Sequence, residues 1–315
     1  MEKVDITIST INYNITEKLH RCIDSFLDTY KDDNSFTYEW YIIDNNSQDA
    51  DFNETIEKYS KYPHLKFIKR DDNLGLAVLN TILDEVKGRY WLFLDPDTWQ
   101  YGEPIPKLIE FMDSHPEVGI ASAMQYTPHK NPLLYYSTHY SISKVFFIGT
   151  SIGSIVDKYL LFNKMQRIHF PWNREQETFN KTTEVDQVSF ACTLERMKLL
   201  KEDGYVIDPD FSFIFNDVDL CKRVKDKDYK VMIVPSAKII HDHSSAYKKT
   251  KMLWKRKITI KAQIKYFHKY HKYRVLLLKL VLFFDLVLLI ITKPFWRRKK
   301  IRKNLFLFQL YQILN

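Results

Sequence analysis

At 315 residues, with 45% hydrophobic and 27% charged side chains, the chain carries enough apolar material for one large domain plus appendages. There are only 7 glycines, and neither G-x-x-x-x-G-K-[ST] nor G-x-G-x-x-G occurs, which argues against P-loop and Rossmann dinucleotide chemistry. The net charge of +8 is uneven: Lys251 to Lys303 holds 17 Lys and Arg against one acid, Asp285, leaving −8 for the rest.

The elements read in chain order as follows. Val4 to Ile11 predicts a buried strand, and no leader peptide is expected ahead of it. Thr16 caps a helix whose apolar positions Leu19, Cys22, Ile23, Phe26 and Leu27 keep the helical period. Tyr38 to Ile43 is a second strand, ending at Asp44-Asn45-Asn46-Ser47. A polar helix follows near Asp51 to Tyr59, then a short strand from Leu65 to Lys69. Leu76, Leu79, Ile82, Leu83 and Val86 predict another helix. Tyr90 to Leu94 is the fourth strand and delivers Asp95. A helix from about Pro104 and a strand near Val118 to Ala123 continue the pattern. Strands alternating with helices predict an α/β fold with a mostly parallel sheet flanked by helices.

Residues 126–182 are aromatic and polar, as in Tyr135-Tyr136 and Phe170-Pro171-Trp172, and carry few helix signals. They are expected to be an irregular insertion over the sheet. Val185 to Ala191 and Lys230 to Pro235 predict two further strands. Val275 to Ile291 is apolar except for Lys279 and Asp285, and 17 residues is the short limit for crossing a bilayer. Basic clusters flank it on both sides. Lys261 to Arg274 and Arg297 to Lys303 suit lipid headgroups, with Trp254, Tyr273 and Trp296 as interfacial anchors. The tail 251–315 is therefore expected to lie in or on an anionic membrane surface. The alternative is a helix pair buried in a homo-oligomer. Nucleic acid is set aside because the apolar run fits a bilayer better. The three separated cysteines, Cys22, Cys192 and Cys221, lack metal spacing and fit a reducing compartment.

In parallel α/β sheets, ligands lie outside the carboxyl ends of the strands. Thr10, Asn12 and Asn14 stand after strand one, Asp44 and Asn46 after strand two, Asp95 and Asp97 after strand four. Side chains at i and i+2 of an extended chain point the same way, so Asp95 and Asp97 can converge on one object. Two carboxylates there suit Mg²⁺ or Mn²⁺, which commonly share their shell with phosphate.

These residues, in order over about 4–245, resemble a family 2 glycosyltransferase on the GT-A fold. The opening strand matches at Ile8-Ser9-Thr10-Ile11-Asn12-Tyr13-Asn14, and the strand-two motif at Ile43-Asp44-Asn45-Asn46-Ser47-Gln48-Asp49. The N-x-G segment matches from Asn73 and Gly75 to Asn80. The D-x-D is Asp95-Pro96-Asp97, a later acidic motif is Asn216-Asp217-Val218-Asp219-Leu220-Cys221-Lys222-Arg223, and the late histidine is His241. The set is most similar to the rhamnosyltransferase-like and galactofuranosyltransferase-like branches. Asn216 stands where the family often has Glu, and Phe190-Ala191 where Gly-Ala is frequent.

The resemblance implies an inverting, metal-dependent transfer from a UDP, dTDP or GDP sugar to a glycan acceptor, lipid-linked or on a surface polysaccharide. A protein placed on the inner, cytoplasmic face of the cell membrane fits that role. It implies a catalytic domain over 1–250, with a nucleotide half to about 125 and an acceptor half beyond it. Thr10, Asn12, Asp44, Asn73, Gly75 and Asn80 fall in the nucleotide-sugar site. Asp97 is the first choice for direct contact with Mn²⁺ or Mg²⁺, Asp95 reaches the ribose or the metal's water, and His241 can complete the shell, with His243 as its local competitor. Asp217 is implied as the base. If Asp217 enters a helix, Asp219 diverges from it by about 200°. Arg223 then pairs with Asp219 or with diphosphate. Two rivals remain: a haloacid-dehalogenase-like phosphatase using Asp95 as nucleophile, and an inactive sugar-nucleotide-binding module on a membrane.

Overall fold

The computed structural model describes residues 4–133, 136–169, 181–242 and 252–291. Strands β1 (Ile6–Asn12), β2 (Tyr38–Asp44), β3 (Leu65–Lys69) and β4 (Tyr90–Leu94) are parallel neighbours in the order β3-β2-β1-β4. Helices α1 (Thr16–Tyr30) and α2 (Phe52–Tyr59) make two of the crossovers. After β4 the chain continues through β5 (Thr98–Gln100), helix α3 (Pro104–Ser114) and β6 (Val118–Tyr126). Two-residue strands β7 (Pro132–Leu133) and β8 (Tyr136–Ser137) follow.

Alternation along each strand divides the interior. On β2, Trp40 and Ile42 enter one core with α1 and α3, whereas Tyr41 and Ile43 enter the other. That second core is built with Val78, Leu79 and Ile82. Their spacing predicts an α-helix, but Gly75–Ile82 forms 3₁₀ turns. Contacts with a distant segment account for the difference. Leu76 N–H donates to the Ser212 carbonyl at 2.8 Å, and the Asn80 carboxamide bonds three backbone groups of Val206 and Ile207. Gly75 begins the segment at φ +59°, a left-handed conformation that glycine adopts without a Cβ clash.

The strand expected over Val185–Ala191 is corrected. Two short strands, β9 (Thr183–Val185) and β10 (Gln187–Val188), occupy that stretch, and the main strand is β11 (Cys192–Arg196). β11 runs antiparallel between β4 and β6. After α7 (Met197–Asp203) and α8 (Asn216–Asp226), β12 (Lys230–His241) runs well past Pro235. Its register with β6 shifts between Val234 and Lys238, the kind of irregularity where a strand tolerates proline.

Contacts divide the chain into two compact units. The first holds 1–137, 175–212 and 216–249, and the second holds 138–174, 213–215 and 250–315. The second unit is helical, which corrects the irregular insertion expected over 126–182. It contains α4 (Ile142–Gly149), α5 (Ser151–Tyr159), α6 (Lys164–His169) and the helices Met252–Tyr270 and Val275–Ile291. Ser141 and Thr150 supply the N-caps, accepting from Lys144 N–H and Gly153 N–H at 3.2 and 3.0 Å. Asp285, fully buried, accepts from Ser151 N–H at 2.6 Å and from the Arg256 guanidinium at 3.2 Å. No helix among the described residues is long and apolar enough to cross a membrane. Phe170 to Trp172, His243, Trp296 and Arg297 to Lys303 lie outside the described residues.

Candidate active site

β4 is buried throughout and ends in Asp95-Pro96-Asp97. The turn is held from several sides. Asp95 N–H donates to the Ala191 carbonyl at 2.9 Å, and the Thr98 hydroxyl donates back to the Asp95 carbonyl at 2.6 Å. β5 then pairs antiparallel with the end of β12, setting Thr98 opposite His241. Asp242 N–H donates to the Asp97 carbonyl at 2.9 Å, and Lys18 on α1 ties down the Asp242 carboxylate at 2.6 Å.

This pairing brings His241 to the D-x-D, some 140 residues on in the chain. Candidate ligand atoms of Asp95, Asp97 and His241 all lie within 4.8 Å of one another. His241 Nε2 is 3.3 Å from Asp97 Oδ1, while Nδ1 lies 2.8 Å from Gln125 Oε1 on β6. With Nδ1–H donating to Gln125, Nε2 faces the acids. Orientation of a ligand histidine through its other nitrogen is a common feature of metal sites. Gln125 is absent from the sequence expectations; its only signal is a polar residue closing an apolar strand.

The electrostatics point the same way. Burial raises the Asp95 pKa, the Asp97 carboxylate adds to it, His241 opposes it and Asp217 adds again, to about 7. Burial alone would lower the His241 pKa, but its hydrogen bond to Asp97 and the carboxylates of Asp97, Asp95 and Asp242 outweigh burial and raise it. The cluster thus holds more negative charge than its surroundings stabilise. Two carboxylates and an imidazole fit a divalent cation, and the nitrogen donor favours Mn²⁺ over Mg²⁺.

Asp217 lies in the first turn of α8, half-buried, and its carboxylate bears on Asp95 electrostatically. The Asn216 carboxamide oxygen accepts from Asp217 N–H at 2.8 Å, and Asp217 Oδ1 accepts from Val218 N–H at 2.8 Å. Asn216 therefore contributes a local cap where a carboxylate is more usual. Asp219 diverges into the interior, 1% exposed, and binds Arg223 at 3.0 Å. Arg223 also bonds Asp203 and the Val206 carbonyl. Its guanidinium is thus committed to the body of the fold, and Asp219 rather than diphosphate is the partner.

The remaining expected site residues fall into two groups. Asn12 at the end of β1 donates to Thr16, Asp44 and Ser47 at 3.0, 2.9 and 3.0 Å. Asp44 also accepts from Ser47 N–H at 3.0 Å, and Asn73 accepts from Gly75 N–H at 2.9 Å. Asn12, Asp44, Asn73 and Gly75 thus shape the loops at the carboxyl edge of β1 and β2. The buried Oδ1 atoms of Asn12 and Asn45 have no hydrogen-bond partner among the described residues. Thr10 and Asn80 are turned elsewhere. The Thr10 hydroxyl lies inside, accepting from Trp40 Nε1 at 3.0 Å, and the Asn80 carboxamide is spent on Val206 and Ile207.

Comparison with known proteins agrees with this architecture. The family model for glycosyl transferase family 2 matches residues 6–203. Glycosyltransferase GlyA of Streptococcus pneumoniae is 31% identical over 112 residues, covering 34% of this chain and 15% of that protein. A dolichol-phosphate mannosyltransferase of Pyrococcus furiosus is 32% identical over 123 residues, covering 38% of this chain and 33% of that one. The chain thus spans a third or less of the length of these two relatives. The crystal structure of GalNAc-T7 with UDP, GalNAc and Mn²⁺ superposes with a TM-score of 0.54 at 12% identity, over 77% of this chain and 44% of that one. The sheet order and helix placement are those of the GT-A fold. The motifs, their order and the family match together make the chain a member of glycosyl transferase family 2.

Proposed function

We propose that the protein is an inverting glycosyltransferase moving a sugar from a nucleoside diphosphate donor to a hydroxyl of a glycan acceptor. The observation that carries this is the convergence of Asp95, Asp97 and His241, with Asp217 near enough to act on Asp95. A divalent cation bound there supplies Lewis-acid stabilisation of the leaving diphosphate. Asp97 and His241 are its ligands, and Asp95 is a further ligand or the contact to the ribose. The UDP and Mn²⁺ named with GalNAc-T7 support the same classes of donor and metal for this chain. The loops carrying Asn12, Asp44, Asn73 and Gly75 form the nucleotide pocket.

Asp217 takes the proton of the acceptor hydroxyl. The acceptor oxygen forms its bond to the anomeric carbon as the bond from that carbon to the diphosphate oxygen breaks, and the diphosphate leaves with the electron pair. One displacement with no covalent enzyme intermediate inverts the anomeric centre. The named substrate of the dolichol-phosphate relative supports a lipid-linked acceptor. Phosphoryl transfer to Asp95 has no comparable support, since the family match runs through that motif.

The test pairs binding with turnover. UDP-, GDP- and dTDP-sugars are screened by thermal shift with and without Mn²⁺, and transfer is measured with the donor that binds. Asp217→Asn should lower transfer by about 10²–10⁴-fold, the usual contribution of a positioned base. Nucleotide binding should persist, because the amide oxygen can still accept from Val218 N–H. Loss of both would assign Asp217 to the scaffold, and unchanged transfer would remove it from the reaction.

A further inference from the structure

Within the second unit, residues 138–169, 213–215 and 252–291 hold thirteen Lys and Arg against two acids, Asp157 and Asp285. Both acids are buried, at 3% and 0% exposure. Asp157 accepts from Met165 and Gln166 N–H at 2.8 and 2.9 Å, and Asp285 is spent on Ser151 and Arg256. Lys158, Lys164, Arg167, Lys261, Lys272 and Arg274 are exposed. Among its described residues, this unit shows solvent many cations and no carboxylate.

The same unit exposes a continuous apolar stripe. On the helix Val275–Ile291, Leu276, Leu277, Leu280, Phe283 and Phe284 are 42–70% exposed. At 100° per residue they fall within an arc of about 120°. Val275, Leu278, Leu282, Asp285 and Leu286 point inward on the opposite side, where the helix packs on α4 and α5. Single exposed leucines are ordinary, but five large apolar side chains on one helix face form a patch of the kind that marks an interaction site. Leu160 and Phe162, 70% and 77% exposed, add apolar surface between Lys158 and Lys164.

We infer that this face docks on an anionic lipid bilayer, with the stripe in the interfacial layer and Lys272 and Arg274, which directly precede the helix, on headgroup phosphates. An apolar face bordered by lysine and arginine is the pattern of helices that lie in a membrane surface. The buried Asp285 fixes the opposite face of the helix to protein, so the helix lies along the bilayer rather than across it. A second copy of the chain is the poorer occupant, because it would set like charges against each other without a carboxylate between them. The inference stands independently of the donor chemistry.

Flotation of the full chain with vesicles tests it. Vesicles of phosphatidylcholine with phosphatidylglycerol should carry the protein, and pure phosphatidylcholine vesicles should carry much less. Leu280→Glu combined with Phe284→Glu should weaken binding by about tenfold or more. Lys272→Gln and Arg274→Gln should each weaken it by about fivefold, with the loss shrinking at high salt. A cooperative thermal melt and unchanged far-ultraviolet circular dichroism, read in the same samples, establish that the variants are folded. Failure to bind anionic vesicles overturns the inference, as does binding that the glutamate pair leaves unchanged. A dimer in light scattering that the glutamate pair dissociates would assign the stripe to a second copy and also overturn it.

Discussion

Glu195 sits mid-strand in β11, 1% exposed, and neither carboxyl oxygen has a hydrogen-bond partner among the described residues. Burial pushes its pKa well above the usual carboxylate range. The folded chain therefore holds a proton that the unfolded chain releases at ordinary carboxylate pH. Stability from this group is fully present in acid and is lost as pH rises through the folded pKa. Glu195→Gln keeps the shape and removes the charge. The variant should melt above the parent, with a gap that widens as pH rises above the ordinary carboxylate range. A gap that does not change with pH would mean the carboxyl is not the titrating group. Asp219 and Arg223 show how far single residues can be read without coordinates. Their i, i+4 spacing makes the pair legible, whereas Asp203, twenty positions earlier at the end of α7, meets Arg223 only in the folded chain. Gln125 had no legible role, because its partner is 116 positions away.

At the scale of elements, the parallel half of the sheet follows directly from hydrophobic runs ending in polar residues. Each of β1 to β4 lies where the run predicts it. The misassigned elements depend on distant chain. β11 is a short strand bearing Thr193 and Glu195, recognisable only by its antiparallel pairing with β4 and β6. The turns after Gly75 have the apolar spacing of a helix, but Asn80 commits them to Val206 and Ile207. Asn80→Ala leaves two backbone N–H groups and one carbonyl without that partner, a cost of about 1–3 kcal/mol. Asn80→Asp restores the acceptor for Val206 and Ile207 N–H but not the donor. Thermal melts should therefore rank the parent above Asp, and Asp above Ala. Equal melting of all three would show that the clamp adds nothing to stability.

Across the whole molecule, the basic C-terminal part is visible in the sequence alone, because charge is additive along a chain. The grouping of 138–174 with 250–315 is not visible, because it rests on rings from distant segments: Tyr140, Phe215 and Tyr266 meet at centroid distances of 4.4–6.0 Å. Three acids of the first unit meet at one point, where Asp97 and Asp217 both act on Asp95, and that point should make global stability depend on a cation. A ligand at a hundred times its dissociation constant stabilises the folded state by about 2.7 kcal/mol. For a chain of 315 residues, that corresponds to a melting shift of about 4 °C. Without a cation, Asp95 binds a proton below about pH 7, and a cation must displace it. The Mn²⁺-induced shift should therefore be larger at about pH 8 than at about pH 6, reverse on adding a chelator, and vanish in Asp97→Ala. A shift that is the same at both pH values and survives Asp97→Ala would place the cation elsewhere in the protein.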